Sequence, residues 1–202
     1  MRGTRTVARL AVCVPMATLI GCSDQAVTPT EPSPIGVHSA ALAKQGAGPH
    51  HAGAIVAHDS CDPASFNAVL GPDTCVKPGH TTFDEFIGEL AATQTVRSWR
   101  FNPLNATAHH GVDLLAMNVG GEEHTFTPVQ QFGGGFIPDL NVLSGNPVPA
   151  PECLDFATLV FVEGGEKSVI PGANLAAVAD ASGIARVECC IHPWMRAEVR
   201  LK

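Results

Sequence analysis

Ten residues near the end of the chain limit its fold more than any others: Val187-Glu188-Cys189-Cys190-Ile191-His192-Pro193-Trp194-Met195-Arg196. A thiol, an imidazole and a thioether stand there at C-x-x-H-x-x-M spacing, as Cys189, His192 and Met195. On either side, Gly183 to Cys190 and Met195 to Leu201 alternate apolar and polar with the period of a strand. Three donors therefore share one short loop between two predicted strands, and a loop pinned at both ends loses little entropy on closing around an ion. One imidazole with a thiolate and a thioether is an incomplete set. A second imidazole must arrive from a distant segment, so the fold has to return a far strand to this loop.

The preceding hundred residues supply strands for that purpose. Alternation or β-branched runs over Val96 to Phe101, Asn105 to Ala108, Val112 to Asn118, His124 to Val129, Thr158 to Val162 and Val169-Ile170 predict short strands. Turn pairs separate them, among them His110-Gly111, Gly120-Gly121, Gly164-Gly165 and Pro171-Gly172. Many short strands with regular turn signals predict an all-β sandwich. A Gly- and Pro-rich stretch from Phe132 to Pro151 breaks the rhythm, and a loop of that length is usually an excursion beside a site. Before the strands, Thr82-Phe83-Asp84-Glu85 has the form of a capping box and Phe83, Phe86, Ile87 and Leu90 share a helical face. A short N-terminal helix from about Phe83 to Ala92 is expected, covering one end of a sheet and carrying no chemistry.

The chain's beginning reads as an export signal over residues 1–21. Arg2, Arg5 and Arg9 form a basic region, and Leu10 to Ile20 is apolar but too short to span a bilayer. Leu19-Ile20-Gly21-Cys22 resembles a bacterial lipobox, which implies a lipid on Cys22; an ordinary signal with an incidental Cys is the alternative. Lipidation implies a chain tethered to the cell envelope, on the periplasmic side of an outer membrane or outside the cell. Residues 22–57 lack periodicity and are rich in Pro and Gly, so a disordered tether is expected. His50, His51 and His58 at its end read as solvated linker histidines or a second, weak metal site. Residues 58–94 are expected to hold a disulfide loop and the helix, and residues 95–202 the sandwich.

An exported chain meets an oxidising compartment, where cysteines pair. Cys61 and Cys75 flank a short turn-rich loop and form a plausible disulfide. If Cys189 is a metal thiolate, Cys153 and Cys190 are left to pair, because neighbours on a strand point to opposite faces. A strained Cys189–Cys190 disulfide is the rival. Without Arg2, Arg5 and Arg9 the chain carries nine Lys and Arg against nineteen acids, close to −10. That surface argues against a nucleic-acid partner and fits a soluble protein or a basic partner.

The missing imidazole is read at His124, in Asn118-Val119-Gly120-Gly121-Glu122-Glu123-His124-Thr125-Phe126, where Gly120-Gly121 aims the residue. This segment and Cys189-Cys190-Ile191-His192-Pro193-Trp194-Met195 resemble the two ligand segments of the cupredoxins, the plastocyanin- and azurin-like proteins. The ligand loop is most similar to that of amicyanin. The resemblance implies a Greek-key β-sandwich holding one copper ion, with His124, Cys189 and His192 as ligands and Met195 as the axial thioether. The residue types agree independently: thiolate and thioether select copper over magnesium, calcium or manganese, and two imidazoles, one Cys and a weak Met make a blue-copper set. Structural zinc would need a second Cys or His knuckle, which the cysteine spacing does not provide.

Around the ligands, the Thr125 N–H is expected to reach the Cys189 sulfur, whereas Pro193 has no N–H to offer it. Trp194 is expected to line an electron exit patch or to pack against the barrel end, and Glu122 and Glu123 to make an acidic rim. His109 and His110 are expected to be exposed. The expected function is one-electron transfer through Cu(I)/Cu(II) by a monomeric, non-enzymatic protein with a basic redox partner. Copper trafficking or storage without a redox partner is the alternative.

Overall fold

A computed structural model describes residues 53–202. The expected signal segment, Cys22, and His50 and His51 lie outside the described residues, as does all of the expected tether except its last few positions. Those last positions are not linker. Ala54–His58 is a strand, β1, with Ile55 and Ala57 fully buried.

The segment after β1 builds two helices, the first inside a disulfide loop. Cys61 bonds to Cys75, and the loop they close contains α1 (Pro63–Leu70). Pro63 lies in the loop expected between Cys61 and Cys75. Here it begins a helix, because Asp62 caps the helix by accepting the Ser65 N–H at 2.9 Å and proline suits the first turn, where no N–H is needed. The capping box forms at the start of α2 (Phe83–Thr93). Thr82 Oγ1 accepts the Glu85 N–H at 3.3 Å, and Glu85 Oε2 accepts the Thr82 N–H at 2.8 Å. The helices meet through Phe66, which lies edge-on to Phe83 and Phe86 and is stacked on Trp99.

The remaining strands are β2 (Arg100–Asn102), β3 (Asn105–Ala108), β4 (Leu114–Asn118), β5 (His124–Thr125), β6 (Thr127–Val129), β7 (Phe161–Val162), β8 (Lys167–Ile170), β9 (Ile184–Glu188) and β10 (Arg196–Leu201). They form two four-stranded sheets, ordered β2-β1-β4-β8 and β3-β10-β9-β6, and a short β5-β7 pair. The β1–β4 and β3–β10 pairs are parallel and the rest antiparallel. Inward residues of both sheets, including Ile55, Phe101, Leu114 and Ile170 of one and Ala185, Val187, Val199 and Leu201 of the other, share one core, the arrangement of a β-sandwich. Among the described residues the sandwich therefore includes β1, well before residue 95, since β1 lies between β2 and β4.

Other boundaries shift for local reasons. Val96 to Trp99 is a turn closed by Trp99 N–H to Val96 O at 3.0 Å, so its two buried residues are three apart and not on alternate strand positions. The predicted strand His124 to Val129 breaks at Phe126: β5 pairs with β7, and β6 turns to pair with β9. The Phe132–Pro151 excursion carries α3 (Pro138–Leu143), and Pro171-Gly172, read as a turn, opens α4 (Gly172–Val178), which buries Leu175. The excursion folds back onto the C-x-x-H loop. The Phe136 N–H donates to Cys190 O at 2.9 Å, and a Cβ on Gly135 would collide with that carbonyl. Cys153, beyond the excursion, is disulfide-bonded to Cys190, so the vicinal disulfide does not form and Cys189 is the one free cysteine among the described residues.

Candidate metal centre

The strand order brings β5 alongside the end of β9. Two hydrogen bonds fasten them: the Thr125 N–H donates to Cys189 Sγ at 3.4 Å, and the Cys190 N–H donates to Thr125 Oγ1 at 2.7 Å. The loop after Cys189 is closed by its own backbone, with Cys189 N–H to Met195 O at 3.0 Å and Met195 N–H to His192 O at 2.9 Å. Pro193 offers the sulfur nothing, but the His192 N–H reaches it at 3.4 Å, a donor that sequence reading missed. Two N–H groups thus point at one sulfur, an environment that favours thiolate.

His124, Cys189 and His192 converge with ligand atoms within 4.8 Å of one another, the one such His/Cys/carboxylate group among the described residues. His124 Nδ1 and His192 Nδ1 are 3.2 Å apart, and each is 3.8 Å from Cys189 Sγ. With metal–nitrogen bonds of about 2.0 Å and a metal–sulfur bond of about 2.3 Å, donors around one ion in a triangle stand about 3.5 Å apart for N–N and about 3.7 Å for N–S. The three separations match that triangle to a few tenths of an ångström, so the residues fit a first-row metal ion. All three are buried. Met195, also buried, belongs to the same core cluster as Cys189.

The outer nitrogen of each imidazole faces a carboxylate. His124 Nε2 lies 2.9 Å from Asp59 Oδ2, and His192 Nε2 lies 3.6 Å from Glu122 Oε2. Burial opposes the charge on His124, but Asp59 and the Cys189 thiolate outweigh it and push the metal-free imidazole up to about 10. Burial likewise works against the Cys189 thiolate, yet His124 and His192 hold the thiol well below its usual range. Asp59, just beyond β1, had no role in the sequence reading. Gly120 is required for it: a Cβ there would collide with the Asp59 carboxylate, so the glycine pair serves the carboxylate as much as the turn.

Glu122 is not on an acidic rim. It is buried, accepts the Trp99 Nε1–H at 2.5 Å and has its pKa raised by burial, against the pull of His192 and His124. Glu123 is partly buried, and burial with the neighbouring Glu163 carboxyl pushes it up to about 7. The helix expected to carry no chemistry touches the site. Phe86 of α2 lies edge-on to His192 at 6.1 Å between centroids, and half-buried Trp194 lies edge-on to it at 5.4 Å. A cavity of about 540 Å³, walled by Phe66, Phe86, Ile87 and Leu140, reaches Glu122 and His192. His109 and His110 are exposed, and His58 lies in β1 away from the cluster.

No protein-family model matches the chain, and no curated protein matches it. Among solved structures it is similar to a novel purple cupredoxin from Nitrosopumilus maritimus, at 14% identity and a TM-score of 0.35, over 57% of this chain and 92% of that one.

Proposed function

We propose that this protein is a copper-binding electron carrier with a Greek-key cupredoxin sandwich, holding one ion between His124, Cys189 and His192 with Met195 as a weak axial donor. The observation that carries the reading is the buried triangle of two Nδ1 atoms and one thiolate, with a thioether three residues beyond His192. One thiolate with two imidazoles is the donor set of a one-electron copper site, and bound there copper supplies a Cu(I)/Cu(II) couple.

The protein's own groups serve that couple in three ways. The β5–β9 hydrogen bonds and the self-closed loop fix the donors in place, so little rearrangement accompanies a change in charge. The Thr125 and His192 N–H groups share the sulfur's negative charge. Phe86 and Trp194 pack over His192, and the cavity beside them reaches its ring. Glu123 and Glu163 near that approach support a basic redox partner. Burial of every donor disfavours the trafficking alternative, because a carrier that hands over its ion needs an accessible ligand. No substrate is transformed in this reading. Two disulfides support export to an oxidising compartment, and a lipid on Cys22 would tether the monomer there.

Titration of the metal-free protein with Cu(II), followed by visible and paramagnetic spectra, tests the reading. One equivalent should give an intense thiolate-to-copper absorption that Cys189→Ala abolishes. Colourless protein that binds only Cu(I) would favour trafficking, and failure to bind copper would end both metal readings.

A further inference from the structure

The Asp59 carboxylate is 1% exposed, and its surroundings fix its state. Oδ1 accepts the Gly121 N–H at 2.9 Å and the Cys61 N–H at 3.3 Å; Oδ2 accepts the Glu122 N–H at 3.2 Å and lies 2.9 Å from His124 Nε2. Three backbone N–H groups can only donate. That many backbone donors on its two oxygens hold the acid in its ionised form, which leaves His124 Nε2 to carry the hydrogen between them. With an ion bound, that leaves Nε2–H facing Asp59 and makes Nδ1, which faces Cys189 and His192, the ligand atom.

A backbone carbonyl or a side-chain amide would orient the ring equally well. What a carboxylate adds is a full negative charge, held where its side chain is 1% exposed and water screens it less than at the surface. Three features keep it there: the Cys61–Cys75 disulfide adjoining its backbone partner Cys61, the absent side chain at Gly120, and the packing of β1 between β2 and β4.

We propose that Asp59 is a positioning residue that sets the oxidation-state preference of the site, holding His124 as an Nδ1 ligand and favouring Cu(II) over Cu(I) through its buried charge. The proposal rests on the copper reading above. An electron taken up at the site adds negative charge close to Asp59 while no bond forms or breaks, so the carboxylate opposes reduction. Glu122, 3.6 Å from His192 Nε2 and anchored by Trp99, stands behind the second imidazole in a parallel place.

The test compares full-length wild type with Asp59→Asn, which keeps a hydrogen-bond acceptor and removes the charge, and with Asp59→Ala, which removes both. The readout is the ratio of Cu(II) to Cu(I) affinity, from competition titrations and spectroelectrochemistry. Asp59→Asn should keep the visible band and lower the ratio by about tenfold or more, which for a one-electron couple is a rise of about 59 mV per tenfold. Asp59→Ala should lower the ratio similarly and weaken binding of both ions. A ratio for Asp59→Asn within about twofold of wild type overturns the charge role. Should that variant not fold, nitrogen-15 NMR of the wild type loaded with Zn(II) decides. His124 should show a metal-bound Nδ1 and a slowly exchanging Nε2–H, and Nε2 coordination overturns the proposal. Wild type that takes Zn(II) but refuses copper overturns the oxidation-state claim together with the copper reading, and the zinc spectrum then decides the positioning role alone.

Discussion

Replacing Cys153 and Cys190 together by alanine should destabilise the fold strongly and leave the metal site intact. The two sulfurs of Cys189 and Cys190 are adjacent in sequence but differ in fate: one lies between the imidazoles, the other in a disulfide to Cys153. The bond spans a sequence separation of 37, so in the chain-entropy model its removal costs about 3.8 kcal/mol at 25 °C. The Cys61–Cys75 bond, with a separation of 14, gives about 3.0 kcal/mol by the same relation. For a domain of this size the first figure corresponds to a fall in Tm of about 8–15 °C. Urea unfolding of the metal-free protein, followed by circular dichroism, measures the loss, and Cu(II) titration of the same variant measures the site. The reasoning fails if the double variant loses the thiolate-to-copper band while Cys189→Ala keeps it. It also fails if the loss of stability is below about 1 kcal/mol, because the excursion would then be held onto the loop without the bond.

Three further outcomes follow from the geometry. In the metal-free protein His124 is protonated up to about 10 and Cys189 is already a thiolate, so binding of Zn(II) at pH 8 should release about one proton per ion. Affinity should then rise about tenfold per pH unit up to that value; calorimetry in buffers of different ionisation enthalpy reads this, and no proton release would contradict it. Because the His124 pKa is raised by folding, its contribution to metal-free stability is complete below about 6.5 and is lost as pH rises toward 10. Phe86→Ala should cost about 3–5 kcal/mol, since the ring is buried against Trp99, and should uncover His192. Electron self-exchange, measured by NMR line broadening, should become faster; an unchanged rate would show that α2 does not shield the site.

What the sequence made legible was local. The donors on one loop, the glycine-marked return at His124, the capping box at Thr82 and the Cys61–Cys75 loop are all set by spacing over a few residues, and each is where spacing puts it. What it hid depends on partners far along the chain. Ala54–His58 is only five residues and follows a Pro- and Gly-rich stretch, so its alternation was too short to stand out. Only its pairing with β2 and β4 makes it a strand. Glu122 looked like a surface acid because an acid beside Glu123 usually is one, and only the approach of Trp99 from 23 residues earlier explains its burial. Asp59 and His124 are 65 residues apart, and no local pattern links an aspartate after a strand to an imidazole on another.

These hidden features share an origin. β1, the disulfide-tied α1 and α2 all precede the strands that carry the donors, and sequence alone made them a linker and an accessory helix. In the fold that segment adds a central strand to one sheet, puts a carboxylate behind one imidazole and lays an aromatic ring over the other. The last two contributions act on different imidazoles. Asp59 is 1% exposed behind His124, where water screens its charge less than at the surface, and Phe86, packed with Phe66 and Trp99, covers His192. The same layer lengthens the path an electron must cross. A site built this way exchanges ready access for a strongly held oxidation state, so Phe86→Ala should speed electron exchange at His192 while Asp59→Asn raises the potential with the aromatic layer in place.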